Sequence, residues 1–242
     1  MLNLVKAYEF GILKKAAQKE EKPRKFFYIS DLGKCERSII YKFTDLPKKP
    51  KNPNEIEKMD MANIKHERTT GFWEISGEIE LIGKEITLNR WLPPMWHGRT
   101  DGIFNDYPKI GVGDIKNPHP KNFEEKRYSL LKPQHDHQLI GYMMGVIKML
   151  CLIEIPDGYL FYVDCGGSNT ARQFFRKYTQ KNFDDTKALM EAHEINLELF
   201  RKEGIFPPFL ELIRKKSGLC VPWNCDYCDY QGVTCRIKED LL

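Results

Sequence analysis

Asp101 closes the polar stretch Trp96-His97-Gly98-Arg99-Thr100-Asp101, and thirteen residues later a second short apolar run, Ile110–Asn117, carries Asp114-Ile115-Lys116. Paired as a hairpin through Asn105, Asp106 and Pro108, the two runs bring two carboxylates and one ammonium to the same sheet edge. Carboxylates hold hard divalent cations, and a lysine offsets the negative charge that builds up during attack on phosphorus. These residue types therefore suit metal-assisted hydrolysis of a phosphodiester.

The triplet alone carries little. With 34 acidic residues in the chain, about four Asp/Glu-x-Lys triplets arise by chance, and a solvated ion pair at a strand end explains Asp114 and Lys116 equally well. The elements that position them must decide. Residues 2–20 carry apolar side chains at helical spacing. Ser30-Asp31 can cap a second helix running to about Phe43 with Cys35 in its first turns, and Pro47–Asn54 reads as a loop. A third helix spans about Glu55 to Ile75. Strand-like runs follow at Ile79–Trp91, Met95–Phe104 and Ile110–Asn117, then an apolar helix at Gln134–Leu150, strands at Ile153–Cys165 and Arg172–Thr179, and an amphipathic helix at Asp184–Glu203. That order predicts an α/β sandwich with a mixed central sheet flanked by helices, its first three strands forming a meander.

Three further positions belong with the acidic pair. His66 lies on the helix that precedes the meander, where a neutral imidazole adds a third protein ligand beside Asp101 and Asp114. A lone helical histidine is more often an ordinary surface or core residue, so His66 gains weight only from its neighbours. Gln138 and Tyr142 stand four apart and share one helix face. They follow Gln134-His135-Asp136-His137, a polar helix start expected to face a cleft.

Composition sets the frame. The 242 residues are 41% hydrophobic and 12% aromatic, enough for an ordered core, and the net charge is only +4. The local basic clusters Lys14-Lys15, Lys22-Arg24-Lys25 and Lys48-Lys49-Lys51 tilt towards a nucleic-acid partner without establishing one. The beginning of the chain lacks an apolar signal region and no run is long enough to span a bilayer, so a cytoplasmic protein without a membrane partner is expected. Seven cysteines in a reducing compartment favour metal ligation over disulfides. Cys225, Cys228 and Cys235 form C-x2-C-x6-C, a metal-binding spacing that calls for a fourth ligand. Spacing leaves that ligand open between local Cys220 and remote Cys35. Cys151 and Cys165 lie in apolar segments and read as core.

Taken together, His66, Gly98-Arg99-Thr100-Asp101, Gly113-Asp114-Ile115-Lys116 and Gln138-x3-Tyr142 resemble the PD-(D/E)XK nuclease superfamily, and in particular the RecB-type nuclease domain, over residues 55–180. Asp114 stands where that branch more often has Glu. One cysteine before the core and three near its end resemble the iron–sulfur nucleases: the AddB-type enzymes and the Cas-four family of CRISPR adaptation exonucleases. The resemblance implies a restriction-endonuclease-like core at 51–205, an N-terminal helical segment at 1–50 supplying Cys35, and a C-terminal segment at 206–242 supplying Cys225, Cys228 and Cys235. These four cysteines are implied to hold a [4Fe–4S] cluster, with zinc as the alternative group and Cys220 as the alternative ligand. His66, Asp101, Asp114 and the Ile115 carbonyl are implied to bind Mg²⁺ or Mn²⁺, with Lys116 catalytic and Gln138 and Tyr142 positioning the backbone of DNA. The implied partners are single-stranded DNA or DNA with free ends, and CRISPR adaptation or recombination proteins. Trp91, Trp96 and Phe27 are candidate stacking surfaces for bases.

Two other readings compete. A zinc deaminase requires His-x-Glu and Pro-Cys-x-x-Cys, and the chain has neither. A non-catalytic, cluster- or zinc-stabilised nucleic-acid-binding module makes the acidic geometry incidental, and substitution of Asp114 separates it from a nuclease.

Overall fold

The computed structural model describes residues 4–17, 22–49, 52–118, 132–164, 171–206 and 229–230. Its elements are α1 (Leu4–Ala17), β1 (Phe27–Tyr28), a 3-10 turn (Ile29–Asp31), α2 (Glu36–Tyr41), α3 (Pro53–Ser76), β2 (Glu80–Thr87), β3 (Trp96–His97), β4 (Arg99–Asp106), β5 (Lys109–Lys116), α4 (Pro133–Leu150), β6 (Asp157–Val163), β7 (Ala171–Arg176) and α5 (Gln180–Glu203). The fold is mixed α/β, as expected. Five strands form one sheet in the order β2-β4-β5-β6-β7. β2, β4 and β5 make the antiparallel meander, and β6 joins β5 in parallel after the α4 crossover.

Local chemistry sets the helix ends. Asn52 accepts from the Glu55 N–H while the Glu55 carboxylate accepts from the Asn52 N–H, and Pro53 opens the first turn of α3. Gly77, at φ 69°, closes the same helix in the left-handed conformation. The expected second helix is broken: Ser30 and Asp31 belong to a separate 3-10 turn, Gly33 takes φ 73°, and Cys35 is the N-cap of α2 rather than part of it. A Cβ at Gly33 would lie 2.7 Å from Gln134 Cα, so the start of α4 packs where the helix would have continued. Cys151 is also not a core residue. It caps α4 at φ 53° and is exposed. Cys165 lies outside the described residues.

The sheet is covered on both faces. On one, Leu139, Met143 and Val146 of α4 join Val112, Leu160 and Tyr162 in a core that also takes in Phe27, Ile29, Leu32, Ile39 and Ile40 from the N-terminal segment. On the other, Trp73 of α3 meets Phe104 edge-on at 5.1 Å and Phe161 at 5.6 Å. Phe104 lies flat over Gly102 and Gly113, where a Cβ at either would come within 2.6 Å of its ring. This contact seats α3 on the strands that carry the acidic pair, two turns away from His66 on the same helix.

Trp73→Ala should therefore lower stability by about 3 kcal/mol, the low end for aromatic truncation because Trp73 is only half-buried. Denaturant unfolding measures that loss. An unchanged midpoint would mean that α3 is seated by other contacts.

Candidate active site

Asp101 and Asp114 meet where β4 and β5 separate. Their ladder ends at Gly102↔Gly113, and beyond it β5 stays paired only with β6 through Asp114, Ile115 and Lys116. The Asp101 carboxylate bridges the opening: its Oδ2 accepts the Ile115 N–H at 2.6 Å, where a strand carbonyl would otherwise stand. In an extended strand a residue's N–H and C=O leave by the same edge, so the Ile115 carbonyl also faces the opening. Thr100 donates its hydroxyl to the Gly113 carbonyl at 3.1 Å and ties the two strands at the fork.

Asp114 is 2% exposed. Lys116 Nζ lies 2.6 Å from its Oδ2, a close ion pair. Burial pushes the Asp114 carboxyl up to about 7 against the opposing pull of Lys116. Lys116 donates to Gln138 Oε1 at 2.7 Å, and Gln138 in turn donates through Nε2 to the Tyr142 hydroxyl at 2.8 Å. Gln138 and Tyr142 are both buried on the α4 face that meets the sheet. The rest of the polar helix start does not face a cleft. His135 pairs with the Tyr162 hydroxyl, Asp136 accepts from Arg176 and Tyr178, and His137 meets Thr186. Burial, helped by Lys116, drives the His135 imidazole down to about 2, so it is neutral.

His66 reaches the site from α3. Its Nε2 is 3.1 Å from Asp101 Oδ1 and its Nδ1 is 3.4 Å from Glu85 Oε1. The contact with Asp101 raises the His66 pKa in spite of partial burial. Sequence reasoning missed Glu85, because an acidic residue among alternating strand positions looks like any solvated carboxylate. Three features distinguish it in three dimensions. It stands across from Asp101, between the pairs Lys84↔Gly102 and Ile86↔Thr100. It has φ 54°, rare for a side chain of this kind and a form of strain that gathers at functional sites. Finally, Arg99 holds its other oxygen at 2.7 Å. Ligand atoms of His66, Glu85 and Asp101 all lie within 4.8 Å of one another.

The donor set fits a hard divalent cation. It offers carboxylate oxygens, one of them on buried Asp114, together with an imidazole nitrogen and a backbone carbonyl. Of the other predicted positions, Cys35 is half-buried at the start of α2, while Cys225, Cys228, Cys235 and Cys220 lie outside the described residues. Two of the three proposed stacking aromatics are misplaced. Phe27 and Trp96 are 0% exposed, and they stack on each other at 4.9 Å inside the core. Trp91 is exposed.

No family model matches the chain, and no curated protein matches it. Among solved structures the chain is similar to SSO0001, at 16% identity and a TM-score of 0.49, over 97% of this chain and 98% of the other. It is similar to LHK-Exo in complex with dAMP at 14% identity and a TM-score of 0.48, over 80% and 98%. For the alkaline exonuclease LHK-Exo from Laribacter hongkongensis the values are 12% and 0.41, over 72% and 95%. Likenesses this distant leave the function to be argued from the site. No helix among the described residues is long and apolar enough to cross a membrane.

The raised pKa values of Asp114 and His66 give two linked expectations. Both groups hold protons that a cation must displace, so Mn²⁺ affinity should tighten as pH rises through about 7. In the metal-free protein, a carboxyl raised from 3.8 stabilises the fold fully below pH 4 and loses that contribution as pH climbs through about 7. Melting temperatures of the metal-free protein should fall across that window. Asp114→Asn should flatten the slope, and an unchanged slope would place the proton elsewhere.

Proposed function

We propose that this chain is a divalent-metal-dependent deoxyribonuclease acting on single strands or DNA ends, with an iron–sulfur cluster as a structural fastening. The observation that carries the reading is the fork between β4 and β5, where Asp101, Asp114 and Lys116 converge with His66. His66 Nε2, one oxygen each from Asp101 and Asp114, and the Ile115 carbonyl would hold Mg²⁺ or Mn²⁺. A cation bound there polarises the scissile phosphate and acidifies a water.

The protein's own groups do the rest. Lys116 presents its charge beside the carboxylates, orienting the attacking water or neutralising charge that develops on the phosphoryl oxygens. Gln138 holds that ammonium in place through Oε1, and the Tyr142 hydroxyl fixes which end of the amide faces the lysine. Arg99, mostly exposed, pairs with one oxygen of Glu85 while the other stays beside His66.

The cluster ligands in this reading are Cys35, Cys225, Cys228 and Cys235, with Cys220 as the alternative to Cys235 and zinc as the alternative group. Supporting it, Asp229 and Tyr230, which lie in sequence between the last two of these cysteines, rest on the segment that Cys35 begins. The Lys49 N–H donates to the Asp229 carbonyl, and Tyr230 is buried with its ring 4.9 Å from that of Tyr41 on α2. A setting in CRISPR adaptation or in viral or cellular recombination follows from the same resemblance.

Cleavage of end-labelled DNA with Mn²⁺ tests the chemistry. Asp114→Ala should abolish it with fold and visible absorption intact, and Lys116→Ala should slow it by about two to three orders of magnitude. Cleavage that persists in excess EDTA would overturn the scheme. For the cluster, Cys35→Ala should lose both iron and visible absorption after anaerobic purification, and full retention of both would move the fourth ligand to another cysteine.

A further inference from the structure

A cleft of about 540 Å³ opens over His66 and Asp101 and reaches Tyr28, Ile29 and Ser30 of the N-terminal segment. Its far wall is built by the two-stranded parallel pairing of β1 with β3, in which Phe27 faces Trp96 and Tyr28 faces His97. Strand alternation divides these four rings. Phe27 and Trp96 turn into the core, so Tyr28 and His97 line the cleft together.

That wall is aromatic. The His97 ring stacks on Phe26 at 3.9 Å and meets Tyr28 edge-on at 6.1 Å. Arg24 lies 4.8 Å over one face of Tyr28, and it is held there by an ion pair of 2.7 Å to buried Asp31. Tyr28 is nonetheless 41% exposed. Between this wall and the carboxylates, Asn63 and Asn89 add amide groups, and Arg99 stands at the margin with its side chain 61% exposed.

We propose that this cleft is a nucleobase subsite, in which Tyr28 stacks on the unpaired base of the nucleotide next to the scissile phosphate. The volume falls within the range of sites that enclose a small ligand and suits a single nucleotide. A base inside a duplex is shielded by its neighbours, so the strand must enter unpaired or with a frayed end. Stacking on a ring tolerates any base, and the two asparagines bias the choice by their contacts with the base edge. The proposal rests on the phosphodiesterase reading for the position of the phosphate. It adds that the substrate is recognised through a splayed base.

The test uses the full chain and a short single-stranded DNA carrying 2-aminopurine at its terminal nucleotide, with Ca²⁺ replacing Mn²⁺ to hold back cleavage. Wild type should quench the fluorophore. Tyr28→Leu should lose the quenching and bind roughly ten-fold more weakly, and Tyr28→Phe should restore both. An abasic terminal nucleotide should weaken wild-type binding by a similar factor, which probes the site without touching the fold. Equal quenching by Tyr28→Leu, or abasic DNA bound as tightly as intact DNA, would overturn the base subsite. Quenching by a wild-type protein that cleaves no DNA in Mn²⁺ would overturn the hydrolytic reading and support the subsite. Cleavage without any quenching would do the reverse.

Discussion

Everything at this site depends on two neighbouring strands that stop pairing one residue before their carboxylates. Had β4 and β5 continued in register past Gly102 and Gly113, Asp101 and Asp114 would have faced each other across an intact ladder with no room between them. Instead β5 keeps its bonds to β6, and Asp101 spends one carboxylate oxygen on the Ile115 N–H. The other oxygen turns to His66. A single side chain thus closes the ladder and opens the site.

The cost of that arrangement falls on Asp114, a carboxylate taken almost wholly out of water. Lys116 offsets part of it, and the Gln138–Tyr142 pair keeps Lys116 from swinging away. Each partner comes from a different level of organisation. Lys116 shares the strand face through period-two alternation, while Gln138 and Tyr142 share a helix face through the spacing of four. The α4 crossover that makes β5 and β6 parallel is also what lays that helix face over Asp114.

Much of this was legible in the sequence because it follows local periodicity. The meander, the long helices and the sharing of one helix face by Gln138 and Tyr142 follow from residue type and spacing, while the grouping of His66, Asp101, Asp114, Lys116, Gln138 and Tyr142 came from the family resemblance. What was not legible depends on tertiary packing. Glu85 gains its place from a kinked edge strand with a positive φ. Phe27 and Tyr28 are adjacent aromatics with opposite fates, and only the pairing of β1 with β3 decides which one faces inwards. The second helix was misjudged because the close approach of Gln134 to Gly33 cannot be foreseen from either segment alone. The polar start of α4 likewise spends its side chains on β6, β7 and α5 rather than on a cleft.

Asp31 touches neither acidic residue of the site, yet it gathers Arg24, Lys42 and, more distantly, Lys34 around one buried carboxylate. Burial pushes its pKa up, but the three cations together bring it below the ordinary value, and its Oδ2 also accepts the Tyr28 N–H. The knot works as a keystone with unequal stones. Loss of one cation leaves two others to hold the carboxylate, whereas loss of the carboxylate sets three positive charges against one another beneath the cleft wall. Tolerance to change in this segment is therefore lopsided, generous at its lysines and narrow at a residue that no substrate need ever meet.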